Sequence, residues 1–126
     1  MTRVAIVDDD SAHSRALARL LHASGIETEI FASAEAFLAR SAPEVLDALI
    51  LDLQLGGMTG FELQRRLSLA GPGPPVVFLT AHAEPETIAR AAAAGCPFVR
   101  KTDPASVLLD ALRRAMAPRG SFPKGK

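Results

Sequence analysis

Ala48-Leu49-Ile50-Leu51-Asp52-Leu53-Gln54-Leu55-Gly56-Gly57-Met58-Thr59-Gly60 decides the fold. Its first four residues are apolar with no polar alternation. That is the pattern of a strand buried on both faces, and such strands belong to parallel sheets covered by helices. The run stops at an aspartate. The glycines behind it open a turn into a helix with Leu63, Leu67 and Ala70 on one face. A buried strand that ends in an acid and turns into a helix is one βα unit.

The same unit recurs on either side. Upstream, Val4-Ala5-Ile6-Val7 ends at Asp8-Asp9-Asp10. Asp10 or Ser11 can cap a helix with Ala16, Leu17, Leu20 and Leu21 as its buried stripe, closing at Gly25. Residues 26–31 set Ile26, Thr28 and Ile30 against Glu27 and Glu29, which predicts a half-exposed strand at a sheet edge. Ser33 caps a short helix containing Ala36, Phe37 and Leu38, and Pro43 breaks the chain after it. Downstream, Val76-Val77-Phe78-Leu79 ends at Thr80, and an alanine-rich helix over 85–94 stops at Gly95. Phe98-Val99-Arg100 ends at Lys101. Asp103-Pro104 then starts a helix that buries Val107, Leu108, Ala111, Leu112 and Ala115. Five alternations of strand and helix imply parallel strands with right-handed crossovers, an α/β, doubly wound, three-layer (βα)5 domain.

Composition agrees with one globular domain over residues 1–118. Of 126 residues, 48% are apolar and 22% are charged. Lys plus Arg equal Asp plus Glu at 14 each, which argues against nucleic-acid binding through bulk electrostatics. Residues 119–126 hold three basic groups and no acid, and read as a mobile basic tail or the start of a linker. No DNA-binding domain lies within these residues. One cysteine, Cys96, leaves no internal disulfide framework and fits a reducing compartment. The opening residues run into three aspartates and do not read as a signal peptide. Gly71-Pro72-Gly73-Pro74-Pro75 breaks the longest uncharged stretch, so a bilayer span is not expected. A cytoplasmic protein is expected.

The strand ends carry the chemistry. In an open parallel sheet, ligands bind outside the carboxyl ends of the strands near the switch in strand order. Four of the five strands end in reactive groups: Asp8-Asp9, Asp52, Thr80 and Lys101. The fifth ends at Phe31-Ala32 and suits the edge. Asp10 alone reads as a helix cap, Asp52 alone as a turn residue, and Thr80 or Lys101 alone as ordinary structure or surface. Their coincidence at strand ends is the feature that points to a site. Clustered carboxylates repel unless a cation neutralises them. With no His or Cys near, an all-oxygen site suits Mg²⁺. A carboxylate, a divalent ion, a hydroxyl and a lysine are the parts of phosphoryl transfer, with Asp52 as the attacking group.

VAIVDDD, LDLQLGGMTGFEL, VVFLTAH and FVRK, in this order, resemble the receiver domains of two-component response regulators, of CheY-like fold. The resemblance covers about residues 3–117, and Thr80-Ala81-His82 is similar to the FixJ-type branch. It implies strand order 2-1-3-4-5. It also implies that Asp52 takes a phosphoryl group from a phosphohistidine on a sensor histidine kinase or a phosphotransfer protein. By the same resemblance, Asp9, Asp52 and the carbonyl of Gln54 would hold Mg²⁺, with Asp8 acting through water. Lys101 and Thr80 would contact the phosphoryl group, and the Phe98 rotamer would follow Thr80 as a switch. Gln54 and His82 would tune dephosphorylation, and N–H groups near Leu53 and Ala81 would complete the oxygen cage. The signal would leave through the fourth helix, fifth strand and fifth helix, toward a downstream protein or effector domain or a phosphorylation-dependent homodimer.

The sequence departs from the family pattern in three places. Gly56 replaces a usual proline, Thr102 replaces the proline after the lysine, and the turn at Pro97 is short. A trans Lys101–Thr102 bond is expected, since a non-proline cis bond costs about 2.5–4 kcal/mol. Its expected consequences are a displaced Lys101 or a last helix beginning at a changed angle. The prediction is an intact site with an altered output face. Two alternatives stay open on the sequence: a pseudo-receiver that is never phosphorylated, and a haloacid dehalogenase-type phosphohydrolase built on Asp8-Asp9-Asp10.

Overall fold

In the computed structural model, residues 2–41 and 45–117 are described. Pro43 and the basic segment 119–126 lie outside them. The elements run in the order β1 (Arg3–Val7), α1 (Ser11–Ala23), β2 (Glu27–Phe31), α2 (Ala34–Leu38) and β3 (Ala48–Asp52). They continue with α3 (Gly60–Leu69), β4 (Val76–Thr80), α4 (Pro85–Ala93), β5 (Phe98–Arg100) and α5 (Ala105–Met116). The sheet is parallel with strand order β2-β1-β3-β4-β5. Among the described residues, no helix is long and apolar enough to cross a membrane.

Strand periodicity divides the core in two. Val4, Ile6, Ile50, Val77 and Leu79 face one side and pack with Leu17 and Leu21 of α1 and Leu108 and Leu112 of α5. Ala5, Val7, Leu49, Leu51 and Phe78 face the other, against Phe37 of α2, Leu63 of α3 and Ala91 of α4. Every residue of β3 and β4 is buried, as unbroken apolar runs require. Sequence neighbours on these strands therefore serve opposite layers, and the uninterrupted Ala48–Asp52 run needs helices on both sides.

The helix stripes are narrower than the sequence predicts. In α1, Leu17 and Leu21 are buried but Ala16 is exposed and Leu20 half-buried. Leu38 of α2 and Val107 of α5 are 41% and 39% exposed. Asp10 does cap α1, its carboxylate accepting from the His13 N–H at 3.1 Å. Asp103 does not cap α5. Pro104 stands at the cap, and the Asp103 carboxylate instead accepts from the Arg100 N–H at 3.0 Å, closing the turn behind β5.

Thr59 and Glu62 form a reciprocal capping box at the start of α3. Gly60, the first residue of that helix, is pressed against the end of β3. A Cβ there would lie 2.5 Å from the Asp52 carbonyl oxygen and 2.9 Å from Leu53 Cα. Only glycine lets α3 begin this close to the backbone that carries Asp52.

Candidate phosphoryl-acceptor and metal site

Strand order determines which side chains meet. β1 and β3 are central neighbours, with Val7 opposite Leu51, so the acids at the end of each strand emerge side by side. One oxygen from each of Asp8, Asp9 and Asp52 lies within 4.8 Å of the others. Asp8 and Asp52 are buried and Asp9 is exposed. Three converging carboxylates, one open to solvent, match the oxygen donor set of a hard divalent cation that keeps part of its water.

Lys101 reaches this cluster from the end of β5. Its Nζ stands 2.8 Å from Asp52 Oδ2 and 3.3 Å from Asp8 Oδ1. The described residues contain no cis peptide, so Lys101–Thr102 is trans as expected. The lysine is nonetheless in place, because its backbone N–H is fixed to the Thr80 carbonyl at 2.8 Å. Beyond it, α5 begins after Pro104 without a side-chain cap.

The remaining lone pairs are satisfied locally. Asp52 Oδ1 accepts from the Gln54 N–H at 2.9 Å, and Asp8 Oδ1 accepts from the Asp10 N–H at 2.9 Å. Burial pushes the Asp52 carboxyl upward, and nearby Asp8 adds to the push against the pull of Lys101 and the Gln54 N–H. Asp8 goes the other way. Burial acts to raise it, but the Asp10 N–H, His13, Asp52 and Lys101 together hold it below the ordinary carboxylate range. For Lys101, burial favours the neutral amine, yet its bonds to the two acids keep it above the usual lysine value. The two central carboxyls are thus driven apart, with Asp52 the harder to ionise.

Thr80 ends β4, and its hydroxyl is engaged by His82 rather than by Asp52. It donates to the His82 carbonyl at 2.8 Å and accepts from the His82 N–H at 3.1 Å. Phe98 opens β5 opposite Phe78, half-buried against the α2–α3–α4 layer, with the Arg100 guanidinium 6.0 Å from its ring centroid. Gln54 is exposed, and it meets the site through its N–H on Asp52.

One expectation is corrected. The reading that no histidine lies near the acids is wrong, because His13 Nδ1 is 2.8 Å from Asp8 Oδ2. The signal was available in Asp10. A cap at that residue fixes His13 in the first turn of α1, on the end of the helix that faces the strand terminus.

The chain as a whole has known relatives. The response regulator receiver domain profile matches residues 4–113. The chain is 35% identical over 112 residues to the response regulator protein TmoT of Ectopseudomonas mendocina, covering 88% of this chain and 51% of TmoT. It is 35% identical over 114 residues to the transcriptional regulatory protein FixJ of Rhizobium meliloti, covering 89% of this chain and 55% of FixJ. It spans about half the length of these curated relatives. Among solved structures, a response regulator receiver protein from Burkholderia phymatum superposes with a TM-score of 0.80 at 32% identity, covering 97% of this chain and all of that one. The structure of FixJ-N superposes with a TM-score of 0.83 at 32% identity, covering 92% of this chain and 94% of the other. On sequence and on fold alike, this chain belongs to the response regulator receiver domain family.

Proposed function

We propose that the chain, as a receiver domain over residues 1–118, accepts a phosphoryl group on Asp52 from a sensor histidine kinase or phosphotransfer protein. The observation that supports this best is the seat of Asp52. It is buried beside Asp8 and Asp9 and bonded at 2.8 Å to the one lysine of the cluster. In the reaction an Asp52 carboxylate oxygen attacks the phosphorus of a phosphohistidine. The P–N bond breaks, its electron pair returns to the imidazole nitrogen, which takes up a proton, and an acyl phosphate remains on Asp52.

Asp8, Asp9, Asp52 and the Gln54 carbonyl are the groups proposed to hold Mg²⁺. Bound there, the ion would supply positive charge against the phosphoryl oxygens. Lys101, already oriented by its backbone bond to Thr80, balances the charge that moves onto those oxygens. The Thr80 hydroxyl can donate to a phosphoryl oxygen once it gives up its bond to the His82 carbonyl.

The product adds about −1.5 to −2 charges and three acceptor oxygens at one point. Exchange of the Thr80 bond couples that charge to the loop before α4, and Phe98 lies on the adjacent strand. The proposed output face is therefore α4, β5 and α5, with an effector domain, a downstream protein or a second copy as its reader. Ala92 and Ala93 are exposed on α4 and offer close approach there. We place the protein in the cytoplasm, where its kinase would act, and assign it no direct nucleic-acid contact.

Incubation with Mg²⁺ and acetyl phosphate tests the reading by intact mass. The expected result is a gain of one phosphoryl group that Asp52→Asn abolishes. A folded wild-type chain with no gain would make this a receiver that binds partners without being phosphorylated.

A further inference from the structure

His13 occupies a place in the site that the phosphoacceptor reading leaves unexplained. It is the third residue of α1, and its backbone N–H is fixed on the Asp10 cap. From there Nδ1 meets Asp8 Oδ2 at 2.8 Å, with the imidazole 27% exposed and the Asp8 side chain fully buried. The other Asp8 oxygen, Oδ1, takes the Asp10 N–H and the Lys101 ammonium. Asp8 is therefore gripped on one oxygen from β5 and on the other from α1. Rotation of a carboxylate about its last bond is otherwise soft. A ligand carboxylate held on its outer oxygen keeps one orientation, and such supporting bonds are worth about 10–100-fold in metal affinity.

We propose that His13 is a positioning residue for the divalent-cation site, holding Asp8 Oδ2 and so fixing the orientation in which the Asp8 carboxylate meets the ion or its water. The inference rests on the phosphoacceptor reading above. The ring touches no reacting atom and acts only through Asp8. A group that merely screened the negative charge would behave in the opposite sense, because its removal would leave the acids more attractive to a cation.

The chain has neither Trp nor Tyr, so calorimetric titration with Mg²⁺ is the suitable measurement. The 126-residue chain is compared with His13→Ala and His13→Asn, and each is also unfolded in EDTA. His13→Ala is expected to weaken Mg²⁺ binding about tenfold or more. His13→Asn, whose amide N–H stands near the position of Nδ1, is expected to recover most of it. The midpoint in EDTA reports any loss of packing separately. Unchanged or tighter Mg²⁺ binding in the alanine variant overturns the proposal, and so does failure of asparagine to restore binding. A wild-type chain that takes up neither Mg²⁺ nor a phosphoryl group would instead overturn the functional reading beneath it.

Discussion

Two clusters of charge lie within a few strands of each other and are built on opposite principles. At the sheet edge, Glu27 and Glu29 of β2 meet Arg3 of β1 and Arg40 beyond α2. Arg40 grips both Glu29 oxygens at 2.8 Å, and Arg3 bonds Glu27 at 2.6 Å and Glu29 at 3.4 Å. Two acids there face two guanidinium groups, near solvent. At the carboxyl ends of the central strands, three acids share one lysine and one imidazole, and two of the acids are buried. The edge cluster is arranged to be stable by itself and also covers an exposed strand. The central cluster holds an excess of negative charge where desolvation is costly, which is the arrangement expected of a site awaiting a cation.

Replacing one acid in each cluster should therefore give effects of opposite sign. Asp52→Asn removes a buried carboxyl whose ionisation burial opposes, and is expected to raise the free energy of unfolding at neutral pH. The same variant is expected to lose phosphoryl uptake entirely. The raised folded-state value sets the sign with pH. The native chain regains the Asp52 proton at a pH where the unfolded chain has not, so this group adds stability as pH falls through that interval. Urea titrations of wild type and variant in EDTA measure both effects. A destabilised Asp52→Asn would mean that the bond to Lys101 outweighs the burial, and the contrast between the clusters would fail.

Magnesium should sharpen the contrast further. Binding to the folded state alone stabilises by about 2.7 kcal/mol at a hundredfold excess over Kd. The thermal midpoint is expected to rise with Mg²⁺ in wild type and in Glu29→Gln, and to stay nearly fixed in Asp9→Asn. Asp9 is the acid of the cluster exposed to solvent, so its loss removes a ligand without opening the core. A Mg²⁺ response that survives Asp9→Asn would place the ion elsewhere.

Much of this architecture is legible in the sequence. Alternating βα units are written in local periodicity, and parallel topology turns distant strand ends into neighbours. Asp8, Asp9, Asp52 and Lys101 can thus be placed at one edge of the sheet from the order of residues, and side by side by the strand order that the family resemblance implies. The features that escape such a reading depend on angles and rotamers. The Asp10 cap sets His13 in the first turn of α1, but its bond to Asp8 depends on the direction in which the helix leaves that cap. The Thr80 hydroxyl turns toward His82 through a side-chain rotation that sequence does not encode. At β2 the alternation is present, yet Ile30 remains 41% exposed while Glu29 is covered by its arginines, because an edge strand lacks a neighbour to complete its burial.

The smallest expected effect belongs to the edge cluster and tests that last point. The Arg40 side chain bonded to Glu29, and Arg3 with it, hold the Glu29 carboxyl below its usual 4.5 against a smaller contribution from burial. A depressed folded-state value stabilises the protein above the unfolded-state value, and that stability is lost as pH falls from about 4.5 through the folded-state value. Solvent screening limits the gain to about 0.2–1 kcal/mol. Glu29→Gln should therefore cost that much at pH 7 and almost nothing at pH 3, with the pH 7 cost shrinking in 1 M salt, where the Debye length falls to about 3 Å. Unfolding titrations at the two pH values read the difference. An equal cost at both would assign Glu29 to packing against the Arg40 stem rather than to charge, and the edge would then owe its stability to the same apolar contacts as the layers beneath it.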